Sequence, residues 1–517
     1  MPSSSPCRST ASSPGDRPCR ITGAQEDEIL KHYSTCLTHA LVGALLMAAP
    51  VFAQTSSAPA APFYNGTKEY SINIMATGMY NSSSGWPQPQ SYPTRVLEPL
   101  ADFHPASIPM DKWGGRLDRS APATGYFYMK QVDGRWWAVD PDGHLYVHRG
   151  VAVLTPGSSP NAKAALAKLY GTPEKWMELT QSYLVYNGFN GAGAWSATDL
   201  IRKSPLQLTH PLAYTINLDV MNNYGKQRGG LHTVPGHAGY PHDVIFVFDP
   251  GFAEFADKYL QRVAEYANDP ALFGYYSDNE MPLSRGNLEH YLELPHDDAG
   301  YIAARQWMQD NHVQHIDDDA RKRFLAFEID RYASIVNTAL RKYDPHHMYL
   351  GCRYTGETKW DAEAFSAMGK YADGISVNLY NTWTPDPKQL DLWMQNAHKP
   401  VIITEWYTKA ADSGLTNKTG AGWTVRTQAE RGEFYQNFTL ALLQSKEIVG
   451  WHWFTYQDND PKDPKAELSN LDANKGIVSI NYQPYQPLLE RMRPLNLNAY
   501  ALIDYFDSRP SEDSAAK

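Results

Sequence analysis

The stretch "GYYSDNEMP" (residues 274–282) joins an apolar strand to a dense polar end. Gly274, Tyr275 and Tyr276 read as part of a buried strand, Asp278, Asn279 and Glu280 arrive together, and Pro282 stops any regular continuation. A solvated turn and the rim of an active site both fit such a stretch. The choice depends on how the other apolar runs end. "KPVIITEWY" (residues 399–407) ends the same way, with Glu405 closing an apolar run.

Outward from these two runs, strand-like and helix-like segments alternate. "LYVHRGVAVL" is strand-like, and "NAKAALAKLYG" and "PEKWMELTQSYLVYNG" are helix-like. After "DVIFVFDPGF", the residues Phe252, Phe255, Tyr259, Val263 and Tyr266 recur at helical spacing and form one apolar face. Eight strand candidates fall near residues 146, 189, 214, 273, 348, 375, 402 and 449, with a helical insertion at 286–342. Eight such units predict an α/β protein, a (β/α)8 TIM barrel spanning 126–510, behind a short N-terminal β/loop extension at 54–125. A doubly wound open sheet is the competing architecture. It calls for a Gly-rich phosphate loop after its first strand, which the sequence lacks.

The chain has 517 residues, 42% hydrophobic and 12% aromatic, enough for a large core. A net charge of -10 argues against a nucleic-acid partner. Fourteen Trp and 33 Tyr suit a sugar-binding cleft and equally suit a filled barrel. "CLTHALVGALLMAAPVFA" (residues 36–53) is a short apolar run ending in small residues, so 1–53 reads as a signal peptide or targeting segment, with a membrane anchor as the alternative. Removal at Ala53 implies a secreted or periplasmic protein with no membrane partner, and leaves Cys352 as the single cysteine. The mature chain then holds no disulfide and no cysteine metal site. The sequence leaves the oligomeric state open.

In a barrel, chemistry gathers where strands end. The strand ends carry Asn279, Glu280, Arg353, Asn378, Tyr380, Glu405, Trp453, Gln457 and Asp458. Glu280 ends the fourth candidate strand and Glu405 the seventh, so a closed ring sets them across the mouth from each other. Two opposed carboxyls suit a retaining glycosidase, one protonating the leaving oxygen and the other attacking the anomeric carbon.

These residues carry a resemblance. "GRWWAVDPDGHLYVHRGV", "YNGFNGAGAWS", "VFDPGF", "GYYSDNE", "VIITEWY", "QAERGEFYQNFTLALL", "VGWHWFTYQD" and "NKGIVSINYQPYQPLLERMRPLN" run in order from about 125 to 506. The chain resembles the clan A retaining glycoside hydrolases, most closely the β-agarases of glycoside hydrolase family 50. The resemblance implies that Glu280 is the acid/base and Glu405 the nucleophile. It implies that Asn279 bonds the sugar 2-hydroxyl, that Tyr380 orients Glu405, and that Trp453 floors the subsite of the attacked sugar. No cofactor and no metal are expected, and the partner is a polysaccharide or oligosaccharide. Two departures bear on which glycan is cut: residues 63–125 are too short for the β-sandwich that agarases of this family usually carry, and the segment "WYTKAADSGLTNKTGAGW" differs from their usual loop.

Trp195 and Trp406 are candidate platforms for sugar rings, and Asn190 and Arg353 candidate substrate contacts, with Arg353 equally able to pair with a carboxylate. "HTVPGHAGYPHD" (residues 232–243) reads as a loop over the cleft, with His237 a substrate contact. Asp278 reads as structural. "HIDDDARKRF" invites a metal, but Asp317, Asp318 and Asp319 at a helix start are better explained as capping it.

Overall fold

A computed structural model of the protein describes residues 71–509 apart from Pro99 and Ala101. The expected leader therefore lies outside the described residues. Among the described residues no helix is long and apolar enough to cross a membrane.

The core is a curled, eight-stranded parallel sheet of TIM-like form. Its strands are β1 (His148–Val151), β2 (Gly191–Ala192), β3 (Ala213–Asn217), β4 (Leu272–Tyr276), β5 (Met348–Tyr349), β6 (Ile375–Asn378), β7 (Val401–Glu405) and β8 (Ile448–Trp453). They neighbour one another in the order β5-β4-β3-β2-β1-β8-β7-β6. Each lies within two residues of where the apolar runs placed it, although Tyr146, the position expected for the first, ends a strand of a separate antiparallel sheet. The reason is burial on both faces: β4, β7 and β8 are buried at every position, as parallel strands covered by helices require. A parallel bridge between Tyr354, just beyond β5, and Val377 of β6 joins the two ends of the strand order.

Helices pack outside the sheet. The helix Gln428–Gln444 starts with a capping box, in which the Thr427 hydroxyl and the Glu430 carboxylate serve each other's backbone N–H groups. Between β4 and β5 stand the helices Asn287–Leu292, Ala299–Asp310 and Asp318–Tyr343. Asp317 caps the last of these, accepting from the Ala320 N–H at 2.8 Å.

Before β1, a four-stranded antiparallel sheet is built from Arg116–Ser120, Tyr128–Val132, Arg135–Val139 and His144–Tyr146. Asp133 and Gly134 both have positive φ, 52° and 77°, as the tight hairpin turn between two of these strands demands. Two buried arginines tie this sheet to the last helix, Ala499–Asp507. Arg116 grips Asp504 through two bonds of 2.7 and 2.8 Å. Arg135 grips Asp507 at 2.8 and 2.9 Å and also donates to the carbonyls of Leu443 and Ser445, at the end of the Gln428–Gln444 helix.

Candidate active site

Polar side chains converge at the C-terminal ends of the strands, as the sequence predicted. Glu405 closes β7 and is only 5% exposed. Its Oε1 accepts from Arg353 Nη2 at 2.5 Å and its Oε2 from the Tyr380 hydroxyl at 2.7 Å. Burial pushes its pKa upward, while the Arg353 guanidinium and the Tyr380 hydroxyl pull it back. Asn378, at the end of β6, is the hub between the carboxylates. Its Nδ2 donates to Glu280 Oε1 at 2.9 Å and to Asn279 Oδ1 at 3.1 Å. Its Oδ1 accepts from the Thr404 hydroxyl at 2.7 Å, next to Glu405. Glu280 is half-buried and stands at positive φ (48°).

The backbone at this rim has a regular peculiarity. Residues with positive φ that are not glycine follow six of the eight strands within four positions: Val153, Trp195, Asp219, Glu280, Arg353 and Asn381. For a branched or bulky side chain this conformation is a strained outlier, and such strain gathers where function imposes a geometry.

Trp195 and His237 line a cleft of about 460 Å³ together with Asp219, Lys226, Asp278 and Asn279. Trp195 is 37% exposed, with the Arg353 guanidinium 4.5 Å from its ring centroid. His237 lies on a small hairpin, His232–Val234 and His237–Gly239, whose Gly236 N–H reaches Glu467 Oε1 at 2.8 Å.

Three expected substrate contacts are corrected, and of the two readings open for Arg353 the carboxylate pair holds. Trp406 is 1% exposed and stacks on Phe438 at 4.0 Å, because side-chain alternation turns it away from Glu405 toward the helix layer. Trp453 has no exposed surface. Its Nε1 donates to the Lys475 carbonyl, and its ring packs among Trp406, Tyr435 and Arg431. It offers no face to a sugar. Asn190 spends its amide on the start of β1, accepting from Arg149 N–H and donating to the Val147 carbonyl. Arg353 is buried and pairs with the carboxylate instead of facing the cleft.

Gln457 and Asp458 are also structural. Gln457 donates to the Ser479 and Ile480 carbonyls, and Asp458 accepts from the Lys475 and Gly476 N–H groups and the Tyr485 hydroxyl. Asp278 resolves as structural too: it takes the Met221 and Asn222 N–H groups at 2.9 and 3.2 Å and the Tyr332 hydroxyl at 2.5 Å. Two residues escaped the sequence reading. Asn378 was visible only as one polar strand end among several, and Asp219 carried no signal beyond that of an ordinary helix cap.

Among the described residues, one group could converge on a metal ion, Asp111, Asp140 and His144. It lies on the antiparallel sheet, ahead of the start of β1 and away from the rim. His144 Nδ1 is 3.1 Å from Asp111 Oδ2, and burial beside Asp111 pushes Asp140 up to about 8.

Curled parallel sheet and polar rim together define the class, an α/β scaffold of TIM-like form with two carboxyls at its strand ends. The crystal structure of BpGH50 matches with a TM-score of 0.75 at 30% identity, covering 87% of this chain and 99% of that one. The chain belongs to glycoside hydrolase family 50. No protein-family model matches it. The structure of an exo-β-agarase matches at a TM-score of 0.63 and 22% identity, over 78% of this chain and 69% of that one, which is a likeness of fold. β-Agarase B of Vibrio sp. (strain JT0107) is 23% identical over 498 residues, 75% of this chain and 50% of that protein. The chain thus spans about half the length of that curated relative.

Proposed function

We propose that the protein is an exported retaining glycoside hydrolase that cuts β-galactosidic linkages in agarose-like galactan by double displacement. In this reading the curled sheet is a closed (β/α)8 barrel, with the Tyr354–Val377 bridge as its seam. Glu405 attacks the anomeric carbon and forms a glycosyl-enzyme. Glu280 protonates the leaving oxygen, then takes a proton from the water that releases the sugar. Asn279 bonds the 2-hydroxyl, and Tyr380 and Arg353 hold Glu405 in place.

The observation that carries this reading is the unequal treatment of the two carboxyls. Glu405 is buried between a guanidinium and a phenol, as a fixed nucleophile requires. Glu280 is half-buried, with Asn378 as its one side-chain hydrogen-bond partner among the described residues, as a group that exchanges protons with two partners in turn requires. The β-agarase relatives supply the substrate class, and the apolar run at 36–53 supports export.

A screen over agarose, porphyran, carrageenan and plant galactans, with product sizing, tests the substrate. Release of neutral galactose-containing oligosaccharides from agarose is expected, and hydrolysis of nothing β-galactosidic would sink the reading. Proton NMR of the first product formed tests the stereochemistry: the β-anomer must appear before mutarotation.

A further inference from the structure

The helix Val220–Arg228 opens directly after β3, and Asp219 occupies its N-cap position. An aspartate there ordinarily accepts the free N–H groups of the first turn. Asp219 does not: it is left-handed (φ 54°, ψ 46°) and makes no side-chain cap bond. The capping is done from the neighbouring strand by Asp278, which accepts the Met221 and Asn222 N–H groups.

The arrangement sets two carboxyls close together in a buried place. Burial and the nearby Asp219 push Asp278 up to about 7. Burial also raises Asp219, against the pull of Arg353 and Lys226. A self-capping Asp219 would have spared the scaffold this repulsion. Instead its carboxyl is released from the helix, accepts only from Asn217 Nδ2 at 2.7 Å among the described residues, and lines the cleft. The same cleft is lined by the exposed Trp195, whose ring centroid lies 4.5 Å from the Arg353 guanidinium. An apolar ring face beside a free acceptor matches a sugar, whose C–H face stacks while its hydroxyls donate.

We propose that this cleft is a saccharide subsite in which Asp219 accepts hydroxyl hydrogen bonds from an uncharged sugar ring seated on Trp195. A carboxylate is an acceptor only, so the subsite selects a ring with free hydroxyl donors. A sulfate ester or a uronate brings further acceptors and negative charge, and is disfavoured. This inference rests on the glycosidase reading for its substrate, and deepens it by naming the neutral sugar.

The test is steady-state kinetics on neutral agaro-oligosaccharides of increasing length and on sulfated counterparts, with Asp219→Ala, Asp219→Asn and Trp195→Ala. Losing a hydrogen bond to a charged group should raise KM roughly 10- to 100-fold for Asp219→Ala, more for longer substrates, with the loss falling on KM and not on kcat. Asp219→Asn should lose less. Adding Trp195→Ala should cost less than the two single effects combined, because both touch one ring. The preference for neutral over sulfated chains should shrink in Asp219→Ala. An unmoved KM, or an equal fall of kcat and thermal midpoint on every substrate, would overturn the proposal and mark Asp219 as part of the scaffold. If the native enzyme cuts no glycan, the glycosidase reading fails alone. Calorimetric titration with the neutral oligosaccharides then decides the subsite, by whether Asp219→Ala weakens their binding.

Discussion

The rims of β4 and β7 hold the two glutamates by opposite means. β7 carries Glu405 as its last residue, just past a register shift between the Val377–Ile403 and Asn378–Glu405 pairs, and the two carboxylate oxygens are taken by Arg353 and Tyr380. β4 ends at Tyr276, and Glu280 stands four residues further on, in a left-handed conformation with Asn378 beneath it. One carboxyl is fixed by its surroundings and the other by its backbone. The contrast teaches how one site can separate two like groups, and it fits the roles proposed above: a nucleophile must not move, whereas an acid/base must meet a leaving oxygen and then a water.

Removing the fixed member should have the largest effect. Glu405→Gln is expected to lower kcat on the order of 10⁴-fold or more while oligosaccharides still bind, measured by turnover and by titration. An active Gln variant would refute the nucleophile assignment. Glu280→Gln should cost between about 10²- and 10⁴-fold on natural linkages, and much less for glycosylation by an aryl glycoside whose leaving group needs no proton. Equal losses on both substrates would erase the distinction between the two rims.

A finer cut is Arg353. Its charge favours ionised Glu405, so Arg353→Met should move the acid limb of the kcat/KM profile to higher pH and lower kcat about tenfold or more. Arg353→Lys should restore the limb but not the full rate, since an ammonium keeps the charge and loses the planar fork. A limb that stays put in Arg353→Met would assign the arginine to packing alone.

The last expected effect leaves turnover aside and is read in stability. Asp278 holds its proton up to about pH 7 in the fold, against an ordinary carboxyl value of 3.8. The folded state therefore binds this proton more tightly than the unfolded chain does. Its contribution is full below the unfolded value and is lost as the solution is made more alkaline, by about 1.4 kcal/mol for each pH unit crossed, until the folded value is reached. Comparing urea midpoints with Asp278→Asn, the native protein should lose ground to the variant between about pH 4 and 7. A difference independent of pH would show that Asp278 titrates normally.

How much of this was legible follows from range. The eight strands were readable because each is a short apolar run buried on both sides, and burial is written in consecutive residues. Glu280 and Glu405 were readable because they interrupt such runs at their ends. The tryptophans needed the phase of each strand as well, because a strand-end aromatic faces either the cleft or the helix layer. For Trp406, alternation from Glu405 already gave the answer, and Trp453 shares the outward face of Trp451. Asp278 caps, across the 57 positions that separate it from Met221, the helix that Asp219 abandons. Local sequence shows only an aspartate before a helix, the commonest of caps.

The two arginine clasps beneath the sheet carry a consequence in time. They join residues 388 and 372 positions apart, Arg116 to Asp504 and Arg135 to Asp507. Contacts so distant along the chain close late, because the loop entropy must first be overcome by everything between. A growing chain can pair the strands of residues 116–146 early, with Asp118 already against Arg116, yet Arg116 and Arg135 meet Asp504 and Asp507 only after the whole parallel sheet between them has been made. The clasp between the antiparallel sheet and the Ala499–Asp507 helix is thereby a late step of folding.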